Sequence, residues 1–212
     1  MAIPRRRLID RSVQQRDARL FLIVTEGART EPDYLRALEE ARMIPVERVR
    51  LRVHGPENGA SAPRHLVEQA VKHREAITPW QSDDEVWLLF DVDLQSGSNR
   101  EAQVRETAQD AGQRGWNVAV SNPCFELWYL LHAEAPPTQT PATCNEVGQA
   151  VRAALGSYNK THVPVAALDE PRLRAACAAA EARDLAPNAP VPPHGVTRVY
   201  RLLNTLRTLA RP

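Results

Sequence analysis

The chain has 212 residues, 43% of them hydrophobic and only 5% aromatic, with 17 prolines and a formal net charge of +1. That length supports one substantial core with an appendage, and so even a charge balance does not by itself point to a nucleic-acid partner. No apolar run reaches the roughly 18 residues of a membrane span. The opening MAIPRRRLID is positively charged with no apolar segment behind it, which argues against a signal peptide. Cys124, Cys144 and Cys177 are widely spaced and cannot all pair, which suits a reducing, cytoplasmic setting without a disulfide framework. The six histidines form no HxxxH pair, so no structural zinc is expected.

Residues 1–19 hold six arginines, among them Arg5, Arg6 and Arg7, against two aspartates. They read as a basic N-terminal arm, either solvated or touching nucleic-acid phosphates. Leu20 to Val24 is a short apolar run bounded by Thr25-Glu26-Gly27, the pattern of a buried strand. A helix follows over about 31–43, opened by Glu31-Pro32, with Tyr34, Leu35 and Leu38 on one face. Val49, Leu51 and Val53 alternate with Arg50 and Arg52, a half-exposed strand. Residues 62–77 read as an amphipathic helix with Leu66, Ala70 and Ile77 inward and His65, Lys72 and His73 on its solvated side. A second apolar run, Val86 to Phe90, ends in Asp91-Val92-Asp93. A polar helix over 100–114 and a strand over 116–120 precede SNPCFELWYLLH.

Repeated strand–helix units joined by long connections predict an α/β fold, a mainly parallel sheet of about four strands flanked by helices. After His132 the chain becomes proline-rich and then helical near 143–155, near 170–184 and in a basic terminal segment, TRVYRLLNTLRTLAR. The expected division is therefore a basic arm (1–19), an α/β domain (20–133) and a C-terminal helical extension packed on the core (134–212).

Acids gather at the strand ends. Glu26 closes the first apolar strand, and Asp91 and Asp93 close a later one. In extended backbone, Asp91 and Asp93 share a side, and neighbouring strands lie about 4.8 Å apart. If the two strands are neighbours, Glu26 faces the pair across a gap that fits a hydrated cation. Three hard oxygen ligands, Glu26, Asp91 and Asp93, with open positions suit Mg²⁺ or Mn²⁺, which can polarise a phosphoryl oxygen and activate water.

Glu-Gly after a first strand and DxD after a later one resembles the Toprim domain of topoisomerases, primases and OLD-type nucleases. IVTEGARTEPDYL, LLFDVD and SNPCFELWYLLH, in that order, resemble more closely the RloB-like family, associated with the abortive-infection protein AbiL and with restriction loci. The resemblance implies a Toprim-like, Mg²⁺-dependent nuclease acting in phage defence beside an ATPase partner, on RNA (tRNA included) or DNA. It also implies Glu26 as general acid or base and Asp91 and Asp93 as the metal pair. Gln95 stands where the common DxDxD pattern has a third aspartate, and offers an oxygen without charge.

Glu31 is either a favourable charge at a helix N-terminus or a second carboxylate for the site. Ser121 or Asn122 fits a helix cap with Pro123 in the first turn, a helix N-terminus that can bind phosphate and that brings Glu126 to the same edge as a further acid. Phe125, Leu127, Trp128, Leu130 and Leu131 read as core, His132 as the helix end, and Cys124 lacks the His–acid partner of a nucleophile. Lys160, in a loop of the extension, reads either as an exposed lysine or as a cation that neutralises transition-state charge, and Arg198 and Arg201 of the terminal helix either form a solvated face or join the arm as a nucleic-acid surface. Two other readings stay open: a non-catalytic Toprim-like module that binds nucleic acid or the ATPase, and a DxD phosphatase.

Overall fold

The computed structural model describes residues 18–57, 62–94, 97, 99–133, 139–156 and 168–209. Arg5, Arg6, Arg7, Gln95 and Lys160 lie outside them. Five strands, β1 (Arg19–Thr25), β2 (Val49–His54), β3 (Glu85–Asp91), β4 (Asn117–Asn122) and β5 (Val196–Thr197), form one sheet in the order β2-β1-β3-β4-β5. The first four are parallel and β5 is antiparallel to β4. This is an α/β arrangement consistent with a Toprim-like fold.

The sheet separates two apolar layers, and strand alternation decides which side chain enters which. Phe21, Ile23, Trp87, Leu89 and Ala119 face one layer, while Leu20, Leu22, Val24, Val86, Leu88 and Phe90 face the other. β1 and β3 read as continuous apolar runs because a central parallel strand is covered on both faces. Helices α2 (Pro63–Glu75) and α3 (Arg100–Gln113) cover the second layer through Leu66, Val67, Ala70, Val104, Ala108 and Ala111. The first layer is larger. It is covered by α1 (Thr30–Glu40), α4 (Glu126–Leu130), α5 (Cys144–Leu155), α6 (Glu170–Arg183) and α7 (Val199–Thr208).

Local signals set several of these helix starts. Thr143 and Glu146 form a reciprocal capping box at α5, and Asp169 caps α6 by accepting the Arg172 N–H at 2.8 Å. No helix of the described residues is long and apolar enough to cross a membrane.

Two expectations are corrected. The C-terminal region adds a fifth strand as well as helices. And the helix expected to open at Ser121 or Asn122 begins only at Glu126 and is five residues long. Ser121 and Asn122 are strand residues because the later segment claims them. The Ser121 and Thr197 hydroxyls meet at 2.8 Å, and Asn122 Nδ2 donates to the Pro192 carbonyl at 2.8 Å. The Asn122–Pro123 bond is cis, and the helix N-terminus expected there lies at Glu126 instead.

Candidate active site

β1 and β3 are direct neighbours, in register Thr25↔Leu89, so the ends that carry Glu26 and Asp91 emerge side by side. The Glu26 N–H donates to the Leu89 carbonyl at 2.9 Å, and the Asp91 N–H donates to Glu26 Oε2 at 3.1 Å. β3 ends at Asp91. Asp93 follows in a turn with φ of 30° and donates its N–H to the Pro123 carbonyl at 2.9 Å. This left-handed conformation is tolerated by Asp, so the turn, rather than strand alternation, places Asp93.

Glu31 reaches the same place from the first turn of α1. It is buried, and its Oε1 accepts the Gly27 N–H at 3.1 Å. Glu31 fills the space beside Gly27: a Cβ on Gly27 would lie 2.0 Å from Glu31 Oε2, so a side chain at 27 displaces the carboxylate. Glu126, the first residue of α4, is buried as well.

These acids act on one another. Burial pushes the Asp91 carboxyl well above its ordinary range, and the charges of Glu31, Glu26 and Glu126 push it further, against one bond from the Phe125 N–H. Burial likewise raises Glu31 to about 7, with Glu126 and Glu26 adding to the rise and the Gly27 N–H opposing it. Glu26 is also raised, by burial first and by Asp93 to a smaller extent, against the pull of Arg100.

Arg100 is the functional-site residue that sequence reasoning misses. It is the first residue of α3, 6% exposed, and its Nη2 lies 2.5 Å from Glu26 Oε2 and 2.6 Å from Oε1. It also donates to the Asp91 carbonyl at 2.7 Å and through Nε to the Val92 carbonyl at 3.1 Å. One signal in the sequence could have found it: a cation in the first turn of a helix opposes the macrodipole, so it calls for a partner elsewhere.

The other predicted positions separate from this cluster. Asn122 is committed to Pro192, as described. Arg198 is 1% exposed, with Nε and Nη2 on the Asp184 carboxylate at 3.0 and 3.2 Å. Arg201 joins the same carboxylate at 3.0 Å and the Pro187 carbonyl at 2.6 Å. Burial pushes Asp184 up, but its contacts with Arg198, Tyr200 and Arg201 outweigh that and hold it below the ordinary range. Arg198 is therefore an internal structural cation, off the surface where a nucleic acid would meet it. His132 is buried in the core, sharing a 3.2 Å hydrogen bond with the Tyr34 hydroxyl. Cys124 is buried too, and its thiol is pushed up by contact with Cys144 and by burial, the reverse of an activated nucleophile.

An all-carboxylate set fits a hard divalent cation in its chemistry. As the side chains stand, no three His, Cys, Asp or Glu residues among those described are gathered at ligating spacing. No curated protein and no solved structure matches the chain. At the family level, residues 21–206 match the RloB-like protein family. The matched segment runs from the first strand through the last helix, so the chain belongs to the RloB-like family.

Proposed function

We propose that this chain is a metal-dependent nuclease of Toprim type, cutting phosphodiester bonds in RNA, tRNA included, or in DNA. The observation that carries this reading is the convergence of Glu26, Glu31, Asp91 and Glu126 where the parallel strands end, an edge that hosts ligands in open α/β sheets. Burial and neighbouring negative charges work against the ionisation of Glu26, Glu31 and Asp91 there, and a cation would relieve that cost.

Mg²⁺ or Mn²⁺ is the ion this donor set favours, with Asp91, Glu31, Glu126 and Asp93 as the residues that would hold it. Such an ion would supply charge neutralisation at the phosphoryl group and a lowered pKa for the attacking water. Glu26 is fixed by the Arg100 guanidinium and by the Asp91 N–H, so it is oriented in advance for proton transfer at the edge. Arg100 ties together the ends of β1 and β3 and the start of α3. In the family's setting the chain acts in anti-phage abortive infection beside a separate ATPase subunit. It has no GxxxxGK[ST] phosphate loop, so an ATP-driven step needs a second protein.

The test is purified protein with Mg²⁺, Mn²⁺ or EDTA on total tRNA, single-stranded RNA and plasmid DNA, beside Asp91→Ala. Metal-dependent cutting that disappears in Asp91→Ala supports the nuclease, and equal cutting by the variant refutes this assignment of the site. Calorimetry of Mn²⁺ binding to the wild type and to Asp91→Asn reads the metal without reference to activity.

A second reading is a binding module without chemistry. It is favoured by the Arg100 guanidinium, which already neutralises Glu26 from within. Full function in the cell of a Glu26→Gln variant would select it.

A further inference from the structure

Among the described residues β2 pairs only with β1 and is an outer strand. Its Val49, Leu51 and Val53 side chains pack toward the larger apolar layer, so Arg50, Arg52 and His54 share the opposite face. That face lies toward α2, because the His54 ring stacks on His73 at 3.6 Å with 17° between planes. Arg50 and Arg52 are exposed. Several surface cations here are answered: Arg36 sits on Asp33, Arg105 on Glu101, Arg114 on Asp110 and Lys72 on Glu57. Among the described residues no carboxylate pairs with Arg50 or Arg52. Two cations about 6.6 Å apart along a strand, at about 3.3 Å per residue, repel one another and gain nothing inside the protein.

The strand leads to the acids. Its last residue, His54, accepts a long bond from the Thr25 hydroxyl at 3.5 Å. The next residue, Gly55, lies so close to the loop after β1 that a Cβ on it would be 3.2 Å from Ala28 Cα and 3.4 Å from the Gly27 carbonyl oxygen. That loop joins Glu26 to Glu31. It also carries Arg29, exposed and without a carboxylate partner among the described residues.

We propose that Arg50, Arg52 and Arg29 form a single-file track for the phosphodiester backbone of a single-stranded polynucleotide, leading it along β2 onto the carboxylate edge. One row of cations fits one strand, and backbone-tracking cations of this kind take RNA or DNA. What happens to the strand at the edge rests on the nuclease reading, whereas the binding does not.

The experiment is fluorescence anisotropy in EDTA with labelled 20-nucleotide single-stranded RNA and DNA over a series of salt concentrations. The variants are Arg50→Ala/Arg52→Ala, Arg29→Ala and Arg50→Lys/Arg52→Lys, with thermal unfolding as the check on folding. The double alanine variant is expected to bind about tenfold more weakly at low salt, with the log–log salt slope shallower by about 1.4, at about 0.7 for each phosphate no longer neutralised. Arg29→Ala is expected to show about half that change in slope, and the double lysine variant to keep the wild-type slope. Comparing the RNA and DNA arms identifies the natural strand. A salt slope unchanged in a folded double alanine variant overturns the track, as does failure of the wild type to bind either strand. Tighter binding of a duplex overturns the single-strand assignment. If binding behaves as expected and nothing is cut with Mg²⁺ or Mn²⁺, the nuclease reading fails and the track stands. If cutting proceeds with unchanged KM in Arg50→Ala/Arg52→Ala, the track fails and the nuclease stands.

Discussion

The Arg100 guanidinium lies 2.5 Å from the Glu26 carboxylate, across 74 residues of sequence. Arg100 is 6% and Glu26 17% exposed at the side chain, so each is the other's main source of compensation. Removing one partner of such a pair leaves a charge in a poorly solvated place, at a typical cost of about 3–5 kcal/mol. Arg100→Met is therefore expected to lower the urea unfolding free energy by about 3 kcal/mol. Adding Glu26→Gln to the same chain should restore much of that, because no carboxylate is then stranded. Additive losses in the double variant would show that Arg100 acts mainly through the Asp91 and Val92 carbonyls.

Gly27 and Glu31 make a second coupled pair. With a side chain at position 27, the Glu31 carboxylate cannot keep its seat on the Gly27 N–H. Gly27→Ala should cost about 1–3 kcal/mol, the usual penalty for a displaced buried polar group. In a Glu31→Ala background the same change should cost little. A double-mutant cycle by urea denaturation reads the coupling, expected to be about 1 kcal/mol or more. A coupling near zero would mean that the loop moves aside and Glu31 stays.

His132 gives the protein an acid limb. Burial lowers its pKa from the ordinary 6.5 to about 4, with Asp169 pulling it up and Arg172 down. The depressed value means that the unfolded chain takes the proton first. The stability is fully present above pH 6.5 and is lost as pH falls toward 4. Between about pH 8 and about pH 5 this one group should remove about 2 kcal/mol from the unfolding free energy. Urea unfolding of wild type and His132→Gln at both pH values checks it. Whatever the variant's starting stability, its fall between the two pH values should be smaller by that amount.

The legible parts of the fold are those written in local pattern. Leu20 to Val24 and Val86 to Phe90 announce covered central strands because both of their faces are apolar. Thr143 with Glu146 announces a helix start by its spacing alone. β5 leaves no such trace: two residues after a proline-rich stretch carry no periodicity, and what recruits them is the pairing of Thr197 and Val196 with Ser121 and Asn122. That pairing is also why Ser121-Asn122-Pro123 mimics a helix cap in the sequence and is none in the fold.

The site divides the same way. Glu26 and Asp91 are visible because each ends an apolar run, and Glu126 because it follows the next strand. Glu31 is ambiguous, since a glutamate in a first helical turn satisfies the dipole whether or not it is buried. Arg100 shows in the sequence only as a cation at a helix start, because its partner is far away in the chain. Arg198 reads as a surface cation because a basic, amphipathic helix looks the same whether or not Asp184, 14 residues upstream, turns inward to meet it.

The hydroxyl pair of Ser121 and Thr197 spans 76 residues, and it sets an order on the protein's birth. A nascent chain that has emerged only as far as α4 already contains every acid of the edge, yet the flank of β4 is bare until β5 arrives and pairs with it. Unpaired strand edges are sticky surfaces for other chains. The carboxylate edge is thus encoded early but completed late, and the interval belongs to the ribosome and to whatever shields an open sheet beside it.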